Sequence, residues 1–239
     1  MNQTLIIILL VAIVYFAYYV LFSPWSQVLG KIFYSFKTTK KLVALTFDDG
    51  PNEPYTSKIL DVLHKYGVKA TFFPVGQNIA RFPEILKKMD REGHIVGIHS
   101  YNHALLAPVL TPNFKEEIAK SQKLIYELIE KMPTLFRPPW YFRQPSMLKT
   151  VGKSGMICVT GTFGSTWEVF QVSAKKIASD AIKVTKPGTI LTFHDGYNNK
   201  TASRTRTIEA LEILIPKLQK DGYTFVTVPE LLKIEAYQD

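Results

Sequence analysis

The feature that most constrains the fold is the alternation of short apolar runs with amphipathic stretches after residue 41. We predict strands at 42–47, 69–73, 94–98, 134–137, 156–160, 189–193 and 223–227. Between them, apolar residues recur at helical spacing over 57–66, 114–131, 174–184 and 207–218. Repeated strand-then-helix order predicts a parallel sheet with helices outside it. We therefore expect an α/β fold, an incomplete parallel β/α barrel of about seven strands, with a doubly wound sheet as the alternative.

The N-terminal part of the chain has a different character. Residues 5–22 contain no charge, glycine or proline, and a helix of that length nearly crosses a hydrocarbon core of roughly 30 Å. Tyrosines and Trp25 follow towards its C-terminal end, as is typical of the headgroup layer. We predict a single transmembrane helix, with a membrane anchor and basic linker at 1–41 and a globular domain at 42–239. The alternative is a cleaved signal peptide, which usually has a basic start and a small-residue cleavage site.

Composition excludes several classes of protein. The single cysteine, Cys158, rules out a disulfide scaffold and a small cysteine-based zinc module. The net charge of +9 suits an anionic partner, but four of the lysines lie within 1–41, beside the predicted membrane. Contact with anionic lipid accounts for them most simply, so we predict no nucleic-acid partner.

Ionisable residues recur directly after the predicted strands, where the chemistry of parallel α/β folds collects. They are Asp48, Asp49, His99, His103, Arg137, His194 and Asp195. Taken alone, the two aspartates before Gly50 are more typical of a tight turn, and Asp195 beside Gly196 likewise.

Two histidines and one carboxylate can hold a catalytic divalent ion and leave one position for water. His99 and His103 are four residues apart, a spacing that a helical turn would place on one face. The alternative is that both are ordinary surface histidines. We assign His64 and His94 to packing or surface hydrogen bonds, because neither belongs to a ligand-like spacing.

Four segments together point to a known family. They read Thr-Phe-Asp-Asp-Gly-Pro at 46–51, His-Ser-Tyr-Asn-His at 99–103, Arg-Pro-Pro-Trp at 137–140 and Leu-Thr-Phe-His-Asp at 191–195. In this order and spacing the chain resembles the polysaccharide deacetylase family, which includes chitin and peptidoglycan deacetylases, over roughly residues 41–232. The resemblance implies a distorted, incomplete barrel that hydrolyses acetamides on sugars with one divalent metal ion. We expect zinc, with cobalt or nickel as alternatives, since carboxylate and imidazole suit all three.

The resemblance also implies roles for individual residues. Asp49, His99 and His103 would be the metal ligands. Asp48 would be the general base, Arg137 would hold it, and His194 would be the general acid. The implied substrate contacts are Pro139, Trp140, Tyr141, Trp167 and Thr192, with a backbone N–H near Trp140 or Tyr141 for the oxyanion. The two tryptophans are equally typical of core packing.

The chain departs from the family pattern at two positions. The fourth motif usually has an aspartate before its tryptophan, where this chain has Thr166 before Trp167. Without that carboxylate His194 should be less basic, unless Glu168 or Asp195 substitutes for it. Thr192 stands where the family usually has a leucine against the acetyl methyl, which predicts a more polar pocket.

These features predict a membrane-anchored, metal-dependent N-deacetylase of amino sugars in peptidoglycan, a chitin-like polymer or a capsule. We expect its catalytic domain outside the cytoplasm. The lysines after the anchor indicate the opposite orientation by the positive-inside tendency. Two alternatives follow, a deacetylase of a lipid-linked sugar on the cytoplasmic face and an inactive, membrane-tethered carbohydrate-binding domain. The sequence predicts no oligomeric state.

Overall fold

The computed structural model describes residues 2–104, 114–198 and 202–238. It begins with helix α1, Gln3–Phe22, which has no buried residue. With a mean hydropathy of 2.8, α1 is the one helix in the described ranges that is long and apolar enough to cross a membrane. Length and composition are the only grounds for this, and a signal sequence shares both.

A parallel sheet forms the centre of the fold. Its middle strand, β1 at Leu42–Asp48, pairs with β2 at Thr71–Phe73 and with β8 at Thr189–His194. The sheet continues to β3 at Ile95–Val96, to β7 at Thr162–Phe163 and to β9 at Thr224–Phe225, and all of these pairings are parallel. The predicted α/β fold with a parallel sheet is confirmed.

The sheet curves into an incomplete barrel. An isolated bridge from Ile98 to Phe136 leads from the edge of the main sheet to a second parallel pair, β5 at Leu135–Phe136 and β6 at Ile157–Cys158. On the far side of β6, Phe33 bridges Val159. Within the described ranges these strands do not close a full ring, in agreement with the prediction. The predicted domain boundary at residue 41 stays a prediction. Part of the predicted linker packs on the domain, since Phe33 and Ser35 form bridges to Val159 and Thr189.

Each of the seven predicted strands is present, and most are shorter than predicted. The part of the chain that the structure describes contains three further strands. One is β7, and the other two form an antiparallel ribbon, β4 at Met132–Pro133 and β10 at Tyr237–Gln238. Each of the three is two residues long, which is too short to show the alternation by which a strand is recognised.

The four predicted helices are present, and besides α1 four more accompany them within residues 2–104, 114–198 and 202–238. The predicted ones are α2 at Tyr55–Lys65, α5 at Phe114–Ile129, α7 at Ala174–Val184 and α8 at Thr205–Lys220. The others are α3 at Gly76–Arg81, α4 at Pro83–Arg91, α6 at Pro145–Lys153 and α9 at Val228–Leu232. The last three have a proline in their first turn, where proline is tolerated. Within a sequence pattern proline usually indicates the end of a helix, so these helices were not predicted.

Alternation along β1 decides what faces the barrel interior. Val43, Leu45 and Phe47 belong to the large core beneath the helices, whereas Ala44 belongs to a smaller interior cluster. Because side chains alternate along a strand, Asp48 lies on the same side as Ala44. The end of β1 therefore presents Asp48 towards the inside of the barrel.

Candidate active site

The site is built on the paired ends of β1 and β8. Their register places Thr46 opposite Thr192, and Asp48 opposite His194. Because both strands are parallel, their carboxyl ends meet at one edge, where chemistry collects in such sheets. The predicted base and the predicted acid are therefore brought to adjacent strand ends.

Three ligand-type side chains converge just beyond β1. Asp49 Oδ1 lies 3.0 Å from His103 Nε2 and 3.5 Å from His99 Nε2, and the two imidazole nitrogens are 3.2 Å apart. All three residues are buried. Ligands at about 2.0–2.1 Å from a tetrahedral ion are themselves about 3.3 Å apart, so the three atoms have the spacing of a metal site.

The two histidines are brought together by a loop, so the expectation of a helical turn was wrong. Ser100 and His103 have positive φ angles of 61° and 54°, which a right-handed helix does not permit. The loop is held from below by the carboxylate of Glu117, which accepts hydrogen bonds from the backbone N–H groups of Tyr101 (3.1 Å) and Asn102 (3.0 Å). These contacts replace the backbone hydrogen bonds of a helix.

The donor set fits a divalent cation. Asp49 Oδ1 is buried without a hydrogen-bond partner among the described residues, an arrangement that costs free energy unless another group binds there. His99 Nδ1 lies 2.8 Å from the Arg137 carbonyl, so this nitrogen carries the proton and Nε2 presents its lone pair. Burial lowers the pKa of His99 to about 4, which keeps it neutral.

Asp49 is held in its charged form. Burial by itself would raise the pKa of this carboxyl, but His103, followed by His194 and His99, outweighs it and holds the pKa well below the usual range. Its second oxygen, Oδ2, accepts a hydrogen bond from the Asn198 N–H at 2.9 Å. This contact fixes the carboxylate and leaves Oδ1 facing the imidazoles. No motif in the sequence pointed to the role of Asn198.

Arg137 orients Asp48. Its guanidinium is fully buried and donates from Nη1 to Asp48 Oδ1 and to Thr46 Oγ1, both at 2.7 Å, and from Nη2 to the Thr160 carbonyl at 2.9 Å. The cation also stacks over the Phe73 ring, 4.1 Å from its centroid. These contacts on one planar group leave it a single orientation, so Asp48 is held in place.

Glu168 occupies the place of the absent fourth-motif acid. Its Oε2 lies 2.7 Å from His194 Nδ1, and its Oε1 accepts a 2.5 Å hydrogen bond from the hydroxyl of Thr207. Burial would lower the pKa of His194, but Glu168, then Asp49 and Asp48, raise it to about 9. His194 is therefore more basic than an ordinary histidine, because Glu168 meets the condition stated for a substitute.

Asp195 has a different task. Its carboxylate accepts hydrogen bonds from the Gly50 N–H at 3.0 Å and from the Thr56 hydroxyl at 2.8 Å, away from His194. A Cβ on Gly50 would lie 1.8 Å from the Asp195 carboxylate, and one on Gly196 would lie 2.4 Å from the Asp49 carbonyl. The loops after β1 and β8 thus pack tightly together, and the hydrogen bonds of Asp195 connect them.

Two histidines lie outside this site. His94 is structural as predicted, because its Nδ1 accepts a hydrogen bond from the Ala70 N–H at 3.1 Å, and His64 is exposed.

A cavity of about 350 Å³ opens over these groups. Its walls include Asp48, Asp49, His99, His103, His194, Trp140 and Tyr141, together with Tyr18 and Phe22 from α1. The other predicted substrate contacts lie outside it. Pro139 is buried in a short 3₁₀ turn, Thr192 is buried with its hydroxyl 2.7 Å from that of Tyr141, and Trp167 is half exposed on the loop after β7.

Comparison with known proteins agrees with this geometry. The polysaccharide deacetylase family model matches residues 36–159, more than half of the chain. A peptidoglycan-N-acetylglucosamine deacetylase of Bacillus cereus is 34% identical over 207 residues, covering 85% of this chain and 94% of the relative.

Solved structures are similar as well. The crystal structure of the Bc1960 peptidoglycan N-acetylglucosamine deacetylase has a TM-score of 0.79 and 32% identity, covering 87% of this chain and 95% of that one. A family 4 acetyl xylan esterase from Clostridium thermocellum, in complex with a cobalt ion, has a TM-score of 0.73 and 34% identity, covering 82% and 94%. The chain therefore belongs to the polysaccharide deacetylase family, hydrolases that remove N-acetyl groups by cleaving amide bonds.

Proposed function

We propose that this protein removes N-acetyl groups from the amino sugars of peptidoglycan. One observation carries the proposal. The triad of Asp49, His99 and His103 opens into the same cavity as the Arg137-held Asp48 and the Glu168-paired His194. The similarity to peptidoglycan N-acetylglucosamine deacetylases supports peptidoglycan over a chitin-like or capsular polymer. We keep the extracytoplasmic location on the same ground, since that polymer lies outside the membrane.

The three ligand-type residues would hold one divalent ion, for which we propose zinc. Once bound, the ion acidifies a water molecule and polarises the acetyl oxygen. Asp49 supplies the negative charge, and His99 and His103 supply nitrogen lone pairs. The cobalt complex of the similar esterase supports a divalent metal here and leaves its identity open.

Asp48 acts as the general base in this proposal. Arg137 binds its Oδ1, so Oδ2 is the oxygen that takes the proton from the attacking water. The fixed orientation matters because a base must lie within hydrogen-bond reach of the proton that it removes. For the oxyanion we propose the Trp140 N–H. The Tyr141 N–H already donates to the Pro138 carbonyl at 3.0 Å.

His194 acts as the general acid for the leaving amine. A pKa of about 9 keeps its imidazole protonated at neutral pH, which is the form that can donate a proton. A cation held by Asp49 would offset part of that carboxylate's effect and repel the imidazolium. The pKa of His194 should therefore be lower in the metal-loaded enzyme than in the metal-free protein. Glu168 also removes the main reason for considering an inactive binding domain, which was the missing acid.

The Glu168→Gln variant tests the His194 pair. Because the amide carries no charge, the pKa of His194 should fall, so the acid loses its proton at a lower pH. We expect kcat to drop by about 10- to 100-fold and the alkaline limb of the pH–kcat profile to move towards lower pH. The measurement is kcat against pH with saturating metal.

Glu209→Gln is the matched control, because Glu209 makes an exposed ion pair with Arg206 on α8, away from the cavity. It should leave the profile unchanged. An E168Q enzyme with a normal alkaline limb, whatever its rate, would mean that Glu168 only supports the local structure.

Acetate release tests the proposed activity itself. The full chain in detergent, loaded with zinc, should release acetate from peptidoglycan fragments, and prior treatment with a chelator should abolish the release. Chitooligosaccharides serve as the comparison substrate, and a higher kcat/KM on them would overturn the choice of polymer. If neither substrate yields acetate with zinc, cobalt or nickel, the proposed activity is wrong.

A further inference from the structure

The C-terminal end of α1 is attached to the catalytic domain beside the active site. The Leu21 carbonyl accepts a hydrogen bond from the Arg143 N–H at 2.9 Å, and the Pro24 carbonyl accepts one from the Thr160 hydroxyl at 2.7 Å. The Phe22 ring packs on Phe142, with 5.2 Å between centroids. These contacts fix where a helix crossing the membrane enters the domain.

Arg143 depends on this attachment. Its side chain is 1% exposed, and its guanidinium donates to the carbonyls of Tyr141 and Ser23. Burial lowers its pKa, which reflects the cost of keeping the cation out of water. Loss of the segment containing Ser23 would remove one of these two acceptors. The arrangement therefore favours a retained anchor over a cleaved signal peptide.

The cavity lies next to the C-terminal end of α1, where the helix joins the domain. Tyr18 and Phe22 line it together with His103 and His194, yet most of α1 before Val20 is exposed on all sides. The domain thus contacts the end of the helix, within about one to two turns of 5.4 Å each. A bilayer crossed by α1 would have its surface next to the opening of the cavity.

Exposed aromatic side chains lie on or beside the lining of this cavity and form what we call the aromatic rim. Trp140 lines the cavity, Trp25 follows the lining residue Pro24, and Trp167 and Phe170 lie within two residues of the lining residue Val169. All three tryptophans of the chain, Trp25, Trp140 and Trp167, are about half exposed, and Phe170 is 72% exposed. Residues 163–172 contain a single ionisable side chain, the buried Glu168. Exposed tryptophan without neighbouring charge is typical of the membrane interface and atypical of a surface that meets only water.

We propose that this aromatic rim, Trp25, Trp140, Trp167 and Phe170, rests in the headgroup layer of the bilayer that α1 crosses. The active site then opens on the membrane surface and acts on N-acetylated sugars held at that surface. The docking follows from the attachment of α1 and the composition of the rim. The statement about substrate rests in addition on the proposed function.

Tryptophan fluorescence tests the docking without any turnover. The full-length Trp25→Phe variant retains only Trp140 and Trp167 and is reconstituted in phosphatidylglycerol and phosphatidylethanolamine vesicles. Lipids brominated near the headgroup should quench its emission strongly, and more than lipids brominated at the bilayer centre. Emission equal to that in bromine-free vesicles would show that the rim faces water and would overturn the proposal.

Activity tests the consequence for substrate. We compare N-acetylated chitotriose coupled to phosphatidylethanolamine in the vesicles with the same sugar free in solution. Phe170→Glu should lower acetate release from the vesicle-bound sugar about tenfold, because a charge replaces a ring that the proposal places in the headgroup layer, and should leave release from the free sugar unchanged. Tyr126→Glu, on the exposed side of α5, should affect neither.

Equal rates of F170E on both sugars, matching the unsubstituted enzyme, would overturn the substrate statement. Failure of the proposed function has a different signature. The unsubstituted enzyme would then release no acetate from either sugar or from peptidoglycan fragments, and the quenching of Trp140 and Trp167 would still decide the docking.

Discussion

Replacing Asp48 with Asn is expected to lower kcat by about 10²- to 10⁴-fold, the usual contribution of a general base. The amide has nearly the same shape as the carboxylate and can still accept the hydrogen bond that Arg137 donates to Oδ1 at 2.7 Å. It cannot take a proton from water. Metal content should be unchanged, because Asp49 and the two histidines supply the ligand set. The measurements are kcat on peptidoglycan fragments and metal stoichiometry by elemental analysis.

The buried charge of Arg137 complicates this variant, because D48N removes its carboxylate partner. We expect the free energy of unfolding to fall by about 1–3 kcal/mol for that reason. Thr46→Val is the matched control, since it removes the other side-chain acceptor of Arg137 Nη1 and keeps the base. It should retain most of kcat. If D48N works as well as T46V, Asp48 is not the base.

The sequence predicts those site residues that come directly after a strand, because the ends of parallel strands meet at one edge of the sheet. Asp48, Asp49 and His194 lie at the ends of β1 and β8 because the parallel register brings those ends together. Glu168 is a different case. The sequence identified it only as one of two substitutes for a missing acid. The choice between Glu168 and Asp195 depended on which carboxylate the loops point at His194 Nδ1, and backbone geometry decides that.

His99 and His103 do converge with Asp49, but on a loop and not on a helical turn. A spacing of four suits a helix, but the loop that contains Ser100 and His103 has positive φ angles and accepts support from Glu117, which lies more than ten residues further along the chain. The local sequence pattern cannot reveal a hydrogen-bond partner that lies so far along the chain. The same limit applies to the contribution of α1 to the active site, since Tyr18 and Phe22 are indistinguishable in sequence from other aromatic residues of an apolar helix.

The fold was most predictable where its elements are long. Helix α7 has the predicted bounds, and β1 and β8 each extend one residue beyond theirs. The two-residue strands β4 and β10 pair with each other across about 100 residues of the chain. Neither is long enough to show the alternation of apolar and polar residues that identifies a strand. Short elements of this kind are specified by the tertiary contacts that surround them, and they were missed for that reason.

His103→Ala should nearly abolish both metal binding and activity. It deletes one of three donor atoms, the Nε2 that lies 3.0 Å from Asp49 Oδ1. Loss of a supporting contact to a metal ligand commonly costs 10- to 100-fold in affinity, so loss of a ligand should cost at least about a hundredfold. Without the ion the acetamide loses its main activation, worth several kcal/mol of barrier. Competition with a chelator measures the affinity, and acetate release measures the rate.

The chain supplies its own controls, since two of its five histidines lie away from the triad and His194. His64→Ala changes an exposed side chain and should alter nothing. His94→Ala removes the buried acceptor of the Ala70 N–H and should lower the free energy of unfolding while metal still binds. This contrast separates loss of a ligand from loss of stability. If H103A binds zinc as tightly as H94A does, the three converging donors are not the metal site, and the roles of Asp48 and His194 would need another electrophile.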